Sequence, residues 1–259
     1  MSTKGEQVTA TIAPKMRPRR VADVRRVVGI SSFVVVGMML LEGARAMLLG
    51  RRPMLDQSDA LVAYQEHTAT GMLVVVTIDT FLMTALSAPP GPCRQLVLET
   101  RRDLGWSADI AFGAGIVFVA ITLVGDAMAG GAALDTVGTT PDPSTIRALT
   151  VGHILMFGVV GGVLTALVMC AFAVIVLNTD LLPRWVGIVA FVLAGTNLLT
   201  VPTSFMGTDP EFWASSGGWA TTAFATMPFL LWTGIVGTLT IRGQRHHDEH
   251  RLRRAAATP

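Results

Sequence analysis

Glu42, Arg45, His67, Asp126 and His153 are the residues of this chain whose types and placement could do chemistry together. Each falls inside or at the edge of an apolar stretch, where an ionisable group costs about 2.5–3.5 kcal/mol at a helix centre and needs an account. Carboxylate with imidazole can hold a divalent metal or relay protons, and an arginine beside them can bind a polar substrate. Asp79 stands apart, because it lies near the middle of its stretch, too deep to reach water. Its role is either coupling to a proton or cation, or a structural hydrogen bond. Its neighbours Thr77 and Thr80 are candidate partners, as are Thr122, Thr196 and Asn197 from other stretches. The plainer reading of the cluster is that Glu42 and Arg45, three residues apart, neutralise each other on one helix face, and that groups near an interface extend to water. A haem held between His67 and His153 is the weaker of the cofactor readings. No H-E-x-x-H, P-loop, dinucleotide or G-x-S-x-G pattern occurs, so no catalytic residue, metal or cofactor is expected. The histidines His246, His247 and His250 sit in a charged tail.

The elements that must position these groups are six apolar stretches at 27–49, 65–87, 108–128, 148–177, 183–202 and 217–241. Each is about long enough to cross a hydrocarbon core of roughly 30 Å. The chain is 51% hydrophobic and 15% charged, whereas soluble domains carry about 25% charged residues. An all-α polytopic membrane protein follows, with six transmembrane helices in one bundle spanning 27–241. A basic segment, 1–26, precedes the bundle and a basic tail, 242–259, follows it. Counting depth along each stretch places Glu42, Arg45, Glu66, His67, Asp126 and His153 at similar height, near the side opposite the termini.

Sixteen of the twenty basic residues fall on the side of the termini and four, Arg45, Arg51, Arg52 and Arg147, on the other. That bias puts both termini in the cytoplasm. Trp106 and Trp185 then anchor the inner interface, and Trp213 and Trp219 the outer one. Basic tails beside a span read as contacts with anionic lipid rather than nucleic acid. Only two of the basic residues are lysine, which points to a GC-rich bacterial genome and hence the plasma membrane of a bacterium. Cys93 and Cys170 do not suggest a disulfide framework, and the first span reads as retained rather than as a signal peptide.

Ala88-Pro89-Pro90-Gly91-Pro92 must stop the second span. The stretch from Cys93 to Trp106 then reads as an amphipathic helix lying along the inner surface. Thr139 to Ser144 makes an outer turn, with Ser144 as N-cap of an early start to the fourth span, whose apolar run is overlong. Gly158 and Gly162 form a G-x-x-x-G step for helix packing, either within the bundle or between two copies. Pro202 and Pro228 are expected to kink or end their helices.

The run Asn178-Thr179-Asp180-Leu181-Leu182-Pro183-Arg184-Trp185-Val186-Gly187 resembles a cytoplasmic turn of uncharacterised multi-span membrane proteins of actinobacteria. In these an L-P-R-W-x-G stretch joins two spans. The resemblance covers this turn and the start of span five, implies architecture, and carries no catalytic residue. Three functions remain in view. The first is a non-enzymatic membrane component that assembles with another membrane protein or a second copy. The second is a small proton-coupled transporter using Asp79 and the outward cluster. The third is an intramembrane enzyme acting on lipid or quinone.

Overall fold

In the computed structural model residues 18–256 are described, except 88–89, 139 and 217; the side chains of 18–23, 42, 45–49, 85, 90, 92 and 243–256 lie outside the description. The described chain is all helix and turn. Helix α1 runs Pro18–Leu49 and α2 Ser58–Leu86. A short α3, Pro90–Thr100, and a 3-10 turn, Arg102–Leu104, lead into α4, Gly105–Leu134. Helix α5, Pro143–Leu155, passes through a π-helical segment, Met156–Val160, into α6, Gly161–Leu177. Helix α7 is Arg184–Leu198, followed by a 3-10 segment, Val201–Met206. The last span starts at α8, Trp219–Thr221, passes a second π segment, Thr222–Thr226, and continues as α9, Met227–Ala256.

Six of these stretches are long and apolar enough to cross a bilayer: 24–41, 58–84, 102–134, 143–177, 184–206 and 219–242. The protein is therefore a multi-pass membrane protein whose helices face lipid. Spans pack in chain order, each on the next, and α9 returns to lie along α1. Burial is uneven around this ring. In the first span's apolar window 11% of residues are buried, against 44% in the fourth and fifth, so α1 is the most lipid-exposed member.

Local sequence explains the boundaries. Gly50 adopts φ +79°, the left-handed conformation that ends α1 and that glycine takes without a side-chain clash. Helix α5 does begin early, but Asp142 rather than Ser144 is its cap: the Asp142 side chain accepts from the Ser144 backbone N–H, with Pro143 at the first helical position. Hydrogen bonds from the Thr145 hydroxyl and then from Ser144 hold the Asp142 carboxyl below the usual carboxylate range. The fourth span runs 35 residues, roughly 52 Å at 1.5 Å per residue, so it tilts or projects beyond the hydrocarbon core. Pro202 lies in the 3-10 segment beyond the end of α7, and Pro228 is the second residue of α9, just after the second π segment.

The surface helix expected from Cys93 to Trp106 is replaced by a different arrangement. Helix α3 stands antiparallel on the first turns of α4. Arg94 pairs with Asp109, Leu98 lies over Gly105, and Val97 is buried with Leu104, Ala108 and Ile175. Higher up, α2 descends the same helix, with Val76 facing Gly130. The apolar face of α3 is thus used on protein.

The tightest core joins α6, α7 and α9 through Met169, Ala173, Val176, Val186, Ala190 and Trp232. The Trp232 Nε1–H donates to the Val186 carbonyl at 3.2 Å, and its ring meets Phe172 edge-on at 4.9 Å. The L-P-R-W-x-G run folds to serve this core: Pro183 caps α7, and Gly187 sits where a Cβ would meet Leu177 at 2.9 Å. Gly162 packs in the same way on α7, its missing Cβ pointing at Thr200 and at the Asn197 carbonyl. Gly158 meets the neighbouring span through its backbone instead: its carbonyl accepts from the Thr200 hydroxyl at 3.4 Å, while a Cβ there would meet nothing within 4 Å. Gly158 lies within the π segment, and of the two glycines only Gly162 has its missing Cβ filled by the neighbouring span.

Candidate functional site

The inward stripe of α2 carries Leu61, Gln65, Thr68, Asp79 and Leu82, all buried, at spacings of three, four and eleven that keep one helical face turned to the bundle. Helix α4 presents Thr122, Asp126, Ala129 and Gly130 on its buried side. The two helices run antiparallel with Val76 beside Gly130. One turn further along each, at i+3 on α2 and i−4 on α4, come Asp79 and Asp126. They lie within electrostatic reach of each other, at 4% and 3% exposure. The structure therefore brings together two acids that depth counting assigned to different heights.

Helix α5 supplies the third wall. The His153 Nδ1 lies 3.0 Å from the Gly125 carbonyl, which can only accept, so Nδ1 carries a proton. The imidazole tilts against Phe157 at 4.7 Å and lies within electrostatic reach of Asp79. Glycine at 125 makes this approach possible, since a Cβ would meet the Phe157 ring at 2.7 Å.

Arg52 lies at the end of the bundle opposite the termini. It follows the Gly50 turn, and its Nε is buried without a hydrogen-bond partner. Burial lowers the guanidinium pKa, opposed by nearby Tyr64, yet an arginine remains charged at any physiological pH. It lies within electrostatic reach of His153. Gln65 Oε1 and Asp126 Oδ2 are also buried acceptors with no donor. A buried polar group left in this state costs about 1–3 kcal/mol. Of these atoms, Asp126 Oδ2 belongs to the acid pair itself, whereas Gln65 stands 14 residues before Asp79 on α2.

Of the residues singled out by sequence, Asp79, Asp126 and His153 converge. His67 does not: it is exposed, as is Glu66, because Gln65 and Thr68 take the inward stripe and leave positions 66 and 67 facing outward. The haem pairing with His153 falls with it. Glu42 and Arg45 lie on α1, but their side chains are outside the described residues, as are those of His246, His247 and His250. Among the described residues no three His, Cys, Asp or Glu groups are placed to hold a metal. Thr77, Thr80, Thr122, Thr196 and Asn197, the candidate partners of Asp79, each bond a carbonyl of their own helix. Arg52 and Gln65 escaped the sequence reading. The available signal was Arg52 itself, a basic residue on the side that the charge bias otherwise empties.

No family model, curated protein or solved structure matches this chain.

Proposed function

We propose that the protein is a small proton-coupled membrane carrier, with Asp79 and Asp126 as its proton-binding pair, His153 as the relay beside them, and Arg52 at the outer mouth. The observation that carries this reading is the placement of two buried carboxyls within electrostatic reach of each other, one on α2 and one on α4. Two like charges so placed repel, and a proton taken up by either acid relieves that repulsion. Helix packing alone gives no reason for a second acid, which weighs against a purely structural membrane component, the reading the sequence favours first. The outward position of Arg52 and His153 suits exchange with the side opposite the termini. On the charge bias we place both termini in the cytoplasm of a bacterial cell.

A pH jump applied to proteoliposomes adsorbed on a capacitive sensor tests the assignment, because protonation of a site within the bilayer moves charge even without turnover. The wild type should give a transient that Asp126→Asn and Asp79→Asn remove and Glu66→Gln, at an exposed position, preserves. A wild type with no transient, or an Asp126→Asn transient equal to it, overturns the carrier.

A further inference from the structure

The first and last spans approach each other over small residues. A Cβ at Gly29 would meet Ile241 at 2.5 Å, one at Gly237 would meet Ser32 at 2.8 Å, and Gly234 faces Val36. Beside this contact the two helices leave a groove of about 470 Å³, within the range of roughly 300–1,000 Å³ typical of ligand sites. Phe33, Val36 and Leu40 line it from α1, and Leu231, Ile235 and Leu239 from α9. The groove runs from Met227 to Arg242, about 22 Å of helix at 1.5 Å per residue. That exceeds the roughly 15 Å half-thickness that one leaflet's chains fill.

What sets this groove apart from an ordinary lipid-facing surface is its end. Arg242 closes it. Arg26 stands seven residues before Phe33, two turns along the same stripe of α1. The Gly29–Ile241 contact brings residues 26 and 242 to within about one helical turn of the same height. Both arginines are exposed, and neither forms an ion pair with another described residue. An aliphatic trough closed by Arg242, with Arg26 at similar height on the adjoining helix, matches an anionic phospholipid in both charge and length. Guanidinium forks suit phosphate oxygens.

We propose that the α1–α9 groove binds one anionic phospholipid, its phosphate between Arg26 and Arg242 and one acyl chain along the groove. Native mass spectrometry of the full-length protein, released from detergent after incubation with phosphatidylglycerol or phosphatidylcholine of identical chains, tests this. Wild type should retain phosphatidylglycerol about tenfold better. R26Q and R242Q should each lower that retention about fivefold and leave phosphatidylcholine unchanged. I235W, which fills the trough, should lower both. Equal retention of the two lipids by the wild type overturns the site without recourse to any variant. So does undiminished phosphatidylglycerol retention in R26Q R242Q that keeps its helical circular dichroism.

Discussion

Cys93 shows how burial decides reactivity residue by residue. Its place on α3, against α4, pushes the thiol up to about 11, because the thiolate loses its hydration there. Alkylation needs the thiolate, so at about pH 8 Cys93 should react about a hundredfold more slowly than a free cysteine. The rate should climb tenfold per pH unit until the pH nears 11. Stopped-flow or mass-spectrometric labelling in detergent checks this, and a rate like that of free cysteine would mean that α3 leaves α4 in solution. A silent Cys93 therefore says nothing about which side of the membrane it occupies. The same scale explains what sequence could and could not reveal of the site. Asp126 and His153 stand out because each is an ionisable group in an apolar run. Arg52 does not, since no periodicity dictates where a loop side chain turns. His67 misled because position along a helix gives its height, while the angle around the axis decides what it faces.

Among elements, the fourth span contains the sharpest contrast. Gly162 touches Thr200 and the Asn197 carbonyl of the neighbouring span, while four residues earlier a Cβ at Gly158 would face open space. Gly162→Ala should thus destabilise the bundle by about 1–3 kcal/mol, the usual range for overpacking. Gly158→Ala should be neutral or slightly stabilising, as alanine favours helix. Thermal unfolding of both variants in one detergent measures the difference; equal losses would mean that a Cβ at 158 meets a neighbour. Apolar runs and proline clusters made nearly every element legible. The π segments and the α3–α4 hairpin were not, because they answer to neighbours: Val97 chooses between membrane surface and Ile175 only once α6 exists.

For the whole molecule, the architecture of six spans follows from length and hydropathy, whereas sidedness rests on charge. With both termini inside, Thr140→Cys in a cysteine-free background should label from outside intact cells with an impermeant maleimide, and Ser87→Cys should not. Both positions are exposed. The reverse pattern would turn Arg52 and His153 toward the cytoplasm.

The return of α9 onto α1 has a further consequence, for biosynthesis. Gly29 and Ser32 emerge from the ribosome some two hundred residues before Ile241 and Gly237, which cover them. Domains made vectorially expose unfinished surface while they wait. Throughout synthesis the glycine face of the first span has no permanent neighbour, so the protein must insert its opening helix early and secure it last. A chain that stops before residue 219 would leave that helix to quality-control proteases or to a stray partner in the bilayer.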